Sequence, residues 1–194
     1  MRGQILKNRY YIMRHGESEA NREGLIVSDP SIGTVKYGLT EKGREQAAGS
    51  LKESPLTKYC FILSSPFLRA KETAEIVRGL LGTEDVNFNE GLRERYFGEF
   101  DLRANHHYKD VWALDVEDPD HQNWGVESVI HVLKRMQRVV MECEGRMTDQ
   151  SILLVSHGDP LQILSSYFMG FAPQEHRQVP HLHVAEVREL AVLK

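Results

Sequence analysis

Residues 10–16 read Tyr-Tyr-Ile-Met-Arg-His-Gly, a short apolar run that stops at a polar, positively charged turn. Residues 152–158 repeat the arrangement as Ile-Leu-Leu-Val-Ser-His-Gly. Apolar runs without alternation are typical of strands that are buried on both faces of a sheet. Both stretches therefore predict a buried strand, followed in each case by a His-Gly pair, at His15 and at His157.

A third apolar run, over residues 60–63, leads into Ser65 and Pro66. Serine is a favoured N-cap and proline a favoured first helical residue, so this stretch predicts a helix that begins at Pro66 and stops near Gly82. Other helices are predicted where apolar residues recur at helical spacing or follow a favoured cap. They cover residues 40–51, 129–143 and 160–169.

The alternation of strands and helices indicates an α/β fold, with three α/β/α layers and a mainly parallel central sheet. A short strand at 86–88 and an edge strand at 181–187 complete the predicted sheet, and residues 21–36 are predicted to be mostly loop. The polar and aromatic segment of about 92–126 predicts a small helical and loop cap. We expect residues 1–194 to form a single domain with this cap over the active site.

Composition excludes several classes of protein. The 194 residues include 24 basic and 28 acidic side chains, a net charge of −4, whereas nucleic-acid binding relies on an excess of Lys and Arg. Cys60 and Cys143 are too few for a disulfide framework and have no zinc-ligand spacing. The N-terminal residues lack the apolar region of a secretory signal, and no apolar run approaches the roughly 20 residues of a membrane helix. We therefore expect a cytoplasmic protein that binds neither nucleic acid nor a membrane.

Cationic and imidazole side chains follow the predicted strands at their carboxyl ends. Arg14 and His15 follow the first strand, Arg69 lies one turn into the helix after the second, and His157 follows the last. Ligands of open α/β sheets bind beyond the carboxyl ends of the strands. A like-charged cluster is costly without an anion, and guanidinium forks suit phosphate oxygens. If these strands are neighbours, the sequence predicts a site for a phosphate-sized anion.

Six segments that follow one another along the chain carry a resemblance. They are Arg14-His15-Gly16-Glu17-Ser18-Glu19-Ala20-Asn21, Gly38-Leu39-Thr40-Glu41-Lys42-Gly43, Ser64-Ser65-Pro66-Phe67-Leu68-Arg69-Ala70, Leu92-Arg93-Glu94-Arg95 with Gly98, Glu127-Ser128, and Val155-Ser156-His157-Gly158. In this order they resemble the histidine phosphatase superfamily, which has the phosphoglycerate-mutase-like fold. The resemblance spans roughly residues 9 to 170, and Val126 departs from it by standing where the family usually has glycine.

The resemblance implies a role for each site residue. His15 attacks phosphorus and becomes phosphohistidine, while Glu94 is the general acid for the leaving oxygen and then the base for water. The residues implied to hold the phosphoryl oxygens are Arg14, Asn21, Arg69 and His157. The implied enzyme is a phosphomonoesterase that acts on a small phosphorylated metabolite and needs no metal and no cofactor. Physical chemistry agrees, because neutral imidazole is a good nucleophile and phosphoryl transfer needs mainly positioning and positive charge.

Other residues compete for the acid and metal roles. Asp159 is one candidate acid, because a distant branch of the superfamily places its acid directly after the second histidine, although Gly158 intervenes here. Glu17 is another, beside the nucleophile, but we expect it to face outward. The pair His106-His107 suggests a metal site only weakly, since adjacent residues point apart on a helix, and we expect a solvated lid segment.

The pocket mouth leaves two questions open. One set of aromatic residues either lines a cap over the substrate or forms the core of that cap: Tyr96, Phe97, Phe100, Tyr108 and Trp112. Another set, of arginines, either binds a second anionic group or is solvated, and solvation is the simpler expectation: Arg93, Arg95 and Arg103. The loop from Asn21 to Gly38 departs from the family pattern and is predicted to set specificity.

Three functions are compatible with such a pocket. Phosphoglycerate mutases carry tryptophan where this chain has Ala20 and are longer, which favours a phosphatase here. The alternatives are a phosphoglycerate mutase-type phosphoryl transfer and a non-catalytic phosphate-binding module. The natural substrate does not follow from the sequence, and a homodimer is left open.

Overall fold

The three apolar runs form neighbouring strands of one sheet in the computed structural model, which describes residues 6–52 and 54–191. The strands of the described residues are β1 (Arg9–Arg14), β2 (Phe61–Ser64), β3 (Val86–Phe88), β4 (Ser151–Ser156) and β5 (Val187–Glu189). Their spatial order is β3-β2-β4-β1-β5, and all neighbours are parallel except β5, which runs antiparallel to β1. The carboxyl ends of β1, β2 and β4 therefore lie side by side.

Helices cover both faces of this sheet. Within the described residues they are α1 (Glu19–Glu23), α2 (Pro30–Gly33), α3 (Glu41–Gly49), α4 (Leu68–Leu81), α5 (Tyr108–Glu117), α6 (Val129–Arg146) and α7 (Gly158–Phe168). Tyr10 and Ile12 of β1 pack in a core with α6 and α7, whereas Tyr11 and Met13 pack in a second core with α3 and α4. Burial on both faces explains why the strand sequence is continuously apolar. The predicted three-layer α/β/α fold is confirmed.

The prediction of loop over residues 21–36 is wrong in part, since this stretch contains the end of α1 and all of α2. Ser18 and Asn21 form a capping box at the start of α1. Asp29 caps α2, and Pro30 is its first residue. Helices of five and four residues are too short for apolar periodicity to appear. Their caps are the signal that sequence reasoning missed.

The start of α4 also differs from the prediction. The helix begins at Leu68, with Phe67 as its N-cap, and not at Pro66 after Ser65. Ser65 Oγ accepts a hydrogen bond of 3.2 Å from the Phe67 N–H and lies 2.9 Å from His157 Nε2. Ser65 therefore does not cap α4, and its hydroxyl contacts His157 at the end of β4 instead.

Other boundaries shift less. The helix predicted over 40–51 is α3, which Thr40 caps through its side chain. Helix α7 begins at Gly158, before the predicted Pro160. Of the edge strand predicted over 181–187, only its last residue belongs to β5. The preceding residues form irregular chain beside the strand ends, which brings a further histidine to the site.

The segment of about 92–126 holds short 3₁₀ turns and α5. It has a small core of its own, which includes Ile26 from outside the segment. The buried members of that core are Ile26, Phe97, Val111 and Val126. Helix α5 also contributes Tyr108 and Trp112 to a cavity at the strand ends. The limits of a cap within a single domain stay a prediction.

Two expectations from composition concern the described residues at large. Cys60 and Cys143 are both buried, and neither forms a disulfide. Among residues 6–52 and 54–191, no helix combines the length and the apolarity that crossing a bilayer requires.

Candidate active site

A cavity of about 180 Å³ lies at the carboxyl ends of β1 and β4. Its lining includes Arg14, His15, Asn21, Arg69 and Glu94. His157 lies directly beside His15, with 5.2 Å between the two ring centroids. The structure thus brings the six predicted site residues together, while their roles in catalysis stay predictions.

His15 is buried, and its neighbours indicate the state of its ring. Nδ1 lies 2.7 Å from the carbonyl oxygen of Gly16, which only accepts hydrogen bonds, so we assign the ring hydrogen to Nδ1. Nε2 then accepts a hydrogen bond of 3.0 Å from Arg69 Nε. Burial, followed by the charges of Arg69 and Arg14, holds the pKa of His15 well below its usual value. The ring is therefore neutral, with a lone pair on Nε2.

Glycine directly after His15 has a packing role. A Cβ at Gly16 would overlap the backbone carbonyl of Gly43 in α3, and a Cβ at Gly43 would overlap the backbone of Glu17. Backbone atoms cannot yield as the end of a flexible side chain does. The two glycines therefore let α3 pack directly against the chain that leaves β1, which fixes the turn that carries His15.

His157 is a second buried, neutral imidazole. Burial, followed by the charge of Arg69, holds the pKa of His157 well below its usual value. Its Nε2 lies 2.9 Å from Ser65 Oγ, which already accepts a hydrogen bond from Phe67 N–H. We assign the serine hydroxyl as the donor to Nε2, which leaves the ring hydrogen on Nδ1. That nitrogen lies 3.8 Å from Glu94 Oε2.

Three buried nitrogen atoms beside His15 have no hydrogen-bond partner among the described residues. They are Arg14 Nε, Arg69 Nη1 and His157 Nδ1. A buried donor without a partner costs about 1–3 kcal/mol, more when it is charged. Three donors at one place, two of them on guanidinium groups, suit an anion with several oxygen acceptors, such as a phosphoryl group. This arrangement is the kind that the predicted anion site requires, and the binding of an anion there stays a prediction.

Glu94 is a buried carboxyl group on the cap side of the cavity. Its side chain is only 9% exposed, and its Oε2 lies 3.7 Å from Arg69 Nη2. Burial raises the pKa of Glu94 to about 7, against the opposing charge of Arg69 and with the support of Asp159. At neutral pH the group is close to half protonated. It is chemically able to give a proton to a leaving oxygen and to take one back.

Asn21 lines the same cavity from the start of α1. Its side-chain oxygen accepts hydrogen bonds of 3.1 Å from the N–H and the hydroxyl of Ser18. The amide is therefore oriented by the helix cap, and its nitrogen is the end that can donate to a phosphoryl oxygen.

Comparison with known proteins agrees with this geometry. A family model described as "Histidine phosphatase superfamily (branch 1)" matches residues 10–193. The chain belongs to this superfamily. Putative phosphoserine phosphatase 2 of Hydrogenobacter thermophilus is 30% identical, over 94% of this chain and 88% of that protein. Probable phosphoglycerate mutase GpmB of Salmonella paratyphi A is 29% identical, over 87% of this chain and 78% of that protein.

Solved structures share the fold of this histidine phosphatase. A mycobacterial glucosyl-3-phosphoglycerate phosphatase superposes with a TM-score of 0.75 and 23% identity, over 94% of this chain and 98% of that chain. At this identity the likeness is one of fold. The predicted family and the predicted enzyme class, a phosphoric monoester hydrolase, are confirmed by the family match and the relatives.

The two alternative acids lie in different surroundings in this histidine phosphatase. Glu17 pairs with Lys42 at 2.8 Å and does not contribute to the cavity lining. Asp159 does line the cavity, but it accepts hydrogen bonds from Arg95, Trp112 and Arg177. Burial raises the pKa of Asp159, but Arg95 and its other cationic neighbours outweigh burial and hold it below the usual value. Asp159 is therefore an ionised carboxylate, which is the wrong state for a general acid.

Arg95 is neither solvated nor available to a second anion, so both interpretations of it are wrong. It is fully buried, and its Nη1 and Nη2 each donate to one oxygen of Asp115 at 2.7 Å. Nη1 also lies 3.3 Å from Asp159 Oδ2. Arg93 and Arg103 are not among the described residues that line the cavity. The position of Arg95 in the family's acid motif thus has a structural explanation.

The aromatic residues of the segment divide between the two interpretations. Tyr108 and Trp112 stack on each other in α5 and line the cavity. Phe97 and Phe100 pack in the core of the segment, and Tyr96 is 39% exposed. Among the described residues of this segment, the aromatic side chains that line the cavity are therefore those of α5.

The pair His106-His107 holds no metal-like arrangement. His107 Nδ1 lies 2.8 Å from Asp110 Oδ2 on a partly exposed turn. In the part of the chain that the structure describes, no three His, Cys, Asp or Glu side chains are grouped so that they could hold a metal ion.

Sequence reasoning missed two residues that follow the last motif. Arg177 is the third donor to Asp159, at 3.2 Å, and its guanidinium lies 3.6 Å from the ring centroid of Trp112. His181 lines the cavity, with its Nε2 2.7 Å from Arg14 Nη1. Arg177 lies in no motif, and the alternation that includes His181 predicts only an edge strand, so the folded chain is needed to place both residues at the cavity.

Proposed function

We propose that this chain is a metal-independent phosphomonoesterase that acts on a small phosphorylated metabolite through a phosphohistidine on His15. The observation that carries the proposal is the set of buried donors without partners on Arg14, Arg69 and His157, grouped beside the unprotonated Nε2 of His15. These groups supply positive charge and fixed hydrogen bonds where negative charge develops during phosphoryl transfer. The cavity suits a phosphoryl group with a small organic remainder.

In the first step, the lone pair of His15 Nε2 forms a bond to phosphorus as the bond from phosphorus to the leaving oxygen breaks. Glu94, in its protonated form, gives its proton to that oxygen, and the alcohol leaves. Arg14, Arg69 and His157 donate to the equatorial oxygens, with a further hydrogen bond from Asn21. The product of this step is phosphohistidine and ionised Glu94.

In the second step, a water molecule enters the place of the alcohol. Glu94 takes a proton from water as the water oxygen bonds to phosphorus, and the bond between phosphorus and His15 Nε2 breaks. Inorganic phosphate leaves, and both residues return to their starting states. A pKa of about 7 suits Glu94 for both half-reactions, because neither of its protonation states is strongly favoured at neutral pH.

Removal of the nucleophile tests the proposal. We expect His15→Ala to lower the turnover of 4-nitrophenyl phosphate by about 10³-fold or more, since no other group replaces a covalent nucleophile. The assay contains EDTA, in which the unaltered protein keeps full activity. Brief reaction with ³²P-labelled phosphoester followed by alkaline denaturation should leave acid-labile label on the unaltered protein only.

His183→Ala is the matched control, because His183 is an exposed histidine outside the cavity lining. It should keep the activity of the unaltered protein. Undiminished hydrolysis by His15→Ala, or loss of all activity in EDTA, would contradict the mechanism.

A mutase is the second candidate, because several relatives are named probable phosphoglycerate mutases. Ala20, which lines the cavity, stands where the resemblance places the tryptophan of phosphoglycerate mutases, and its small side chain leaves room for water in the cavity. We expect hydrolysis of 3-phosphoglycerate to outpace its isomerisation to 2-phosphoglycerate, as followed by NMR. Faster isomerisation would favour the mutase. Phosphate binding without turnover of any phosphoester would favour a binding module.

A further inference from the structure

The Arg14 guanidinium makes its hydrogen bonds through Nη1, whereas its Nε has no partner among the described residues. Its Nη1 contacts two acceptors, His181 Nε2 at 2.7 Å and the carbonyl oxygen of Leu182 at 3.1 Å. Its Nε is buried and has no partner among the described residues. Both acceptors belong to the irregular chain between α7 and β5, which carries none of the motifs that define the family resemblance.

We infer that His181 is a positioning residue, which fixes the Arg14 guanidinium so that Nε–H is presented to the phosphoryl group. This inference rests on the proposed function, in which Arg14 holds an equatorial oxygen. An arginine side chain has several rotatable bonds, and a catalytic hydrogen bond tolerates only fractions of an ångström of displacement. Arg14 Nη1 already donates to the carbonyl oxygen of Leu182, and the added contact with His181 Nε2 restricts the rotation of the guanidinium.

The chemistry of the contact requires a neutral His181. A guanidinium has donors only, so the ring must accept at Nε2 and carry its hydrogen on Nδ1. His181 is exposed on one side, and partial burial on the other, followed by the charge of Arg14, lowers the pKa of His181 to about 4. The acceptor is therefore present throughout the neutral range.

The chain around His181 is itself anchored. Leu182 is fully buried, and the N–H of Ala185 donates to the carbonyl oxygens of Arg14 and His15 at 3.0 and 3.2 Å. Arg188 Nη2 donates to the carbonyl oxygen of His181 at 3.3 Å. The acceptor is thus fixed relative to the end of β1, as a positioning residue requires.

Gly158 provides an independent sign of close packing. A Cβ at this position would lie 3.0 Å from His181 Cε1 and 3.6 Å from Arg14 Cζ. The histidine and the guanidinium therefore rest side by side on the first residue of α7, next to His157. Glycine in the second histidine motif gives this pair the space that it occupies.

Three substitutions at one position test the inference. His181→Ala removes the acceptor, and His181→Gln places an amide oxygen as many bonds from Cβ as Nε2. His181→Asn places its oxygen one bond nearer the backbone, where Nδ1 stands. The affinity for orthovanadate and for inorganic phosphate is measured by calorimetry, which needs no turnover.

We expect His181→Ala and His181→Asn to weaken vanadate binding about tenfold, as the loss of a charged hydrogen bond does, and His181→Gln to stay within about threefold. His183→Ala is the matched control and should bind as the unaltered protein does. With 4-nitrophenyl phosphate, the same order should appear in kcat/KM.

A merely structural role would move thermal stability and affinity together and would not separate Gln from Asn. The inference is overturned if all three variants bind vanadate as the unaltered protein does, or if His181→Gln is as weak as His181→Ala while both are folded. If His181→Ala does not fold, the Gln and Asn pair decides. Intact vanadate binding without hydrolysis would count against the proposed function alone.

Discussion

Glu94 and Asp159 are two buried carboxyl groups in one cavity whose surroundings shift their pKa values in opposite directions. Asp159 accepts hydrogen bonds from Arg95, Trp112 and Arg177, and its cationic neighbours outweigh burial. Glu94 has a guanidinium only at 3.7 Å, and burial prevails, which raises its pKa to about 7. Opposite pKa shifts of two neighbouring carboxyl groups make Glu94 the candidate proton donor and leave Asp159 as a permanent negative charge.

The pH dependence of the first chemical step follows from Glu94. Its protonated form is the active one for breaking the bond to the leaving oxygen, and kcat/KM reports the steps up to that event. Because the pKa of Glu94 is about 7, we expect kcat/KM for an alkyl phosphate to fall tenfold per pH unit above that value. Glu94→Gln should abolish this limb and lower the rate by about 10²–10⁴-fold.

Two comparisons make this prediction specific. The loss in Glu94→Gln should be smaller with 4-nitrophenyl phosphate, whose leaving group needs little protonation. Glu17→Gln should keep the profile of the unaltered protein, since Glu17 pairs with Lys42 outside the cavity lining. If kcat/KM of Glu94→Gln still fell above pH 7, a group other than Glu94 would be the proton donor to the leaving oxygen.

At the scale of elements, a buried ion pair fastens α5 to the chain that carries Glu94. Arg95 and Asp115 are both fully buried, and His121 Nε2 lies 2.9 Å from the same carboxylate. Asp159, at the start of α7, joins the pair through Arg95 at 3.3 Å. Arg95 therefore links the segment over the cavity to α7 through its ion pairs with Asp115 and Asp159.

Removal of one member of this pair should be costly. Arg95→Met leaves Asp115 as a buried charge without its cation, so we expect the free energy of unfolding in urea to fall by about 3–5 kcal/mol. Replacement of both residues, Arg95→Met with Asp115→Leu, should recover a large part of that loss, because no buried charge is then left unpaired.

An exposed ion pair gives the matched control. Arg138 pairs with Glu142 at 3.4 Å on the surface of α6, with 82% of its side chain exposed. Arg138→Met should change the free energy of unfolding by less than about 1 kcal/mol. If Arg95→Met also lowered the free energy of unfolding by less than about 1 kcal/mol, the buried Asp115 would not depend on Arg95 for its stability, and the prediction would be wrong.

Elements differ in how far the sequence predicts them. The strands β1, β2 and β4 are predictable because burial on both faces leaves an uninterrupted apolar run. The residues that follow these strands meet at one edge of the sheet because the strands are parallel neighbours. Arg95 is not predictable in this way, since its partners lie 20 and 64 residues away in the chain. His181 belongs to irregular chain, whose path depends on contacts with Arg188 and the end of β1.

At the scale of the whole molecule, two positive charges lie close together where the strand ends converge, although the net charge is −4. Arg14 and Arg69 approach each other beside two neutral histidines, and each charge lowers the pKa values of both rings. Repulsion and unpartnered donors make this region costly in the folded protein. A phosphate ion bound there would offset that cost, so we expect phosphate to raise the free energy of unfolding of the protein.

Thermodynamic linkage makes this prediction quantitative. Inorganic phosphate at 100 times its dissociation constant should raise the free energy of unfolding by about 2.7 kcal/mol, with about 1.4 kcal/mol more for each further tenfold increase. Arg69→Met, which removes one charge and the Nη1 donor, should weaken phosphate binding and so lower this gain at each phosphate concentration, by about 1.4 kcal/mol for each tenfold rise in the dissociation constant. Lys42→Met, on the surface of α3, should leave the gain unchanged at each concentration. An equal gain in Arg69→Met and in the unaltered protein would place the stabilising phosphate outside the cavity, because an anion that binds there must sense the loss of that guanidinium.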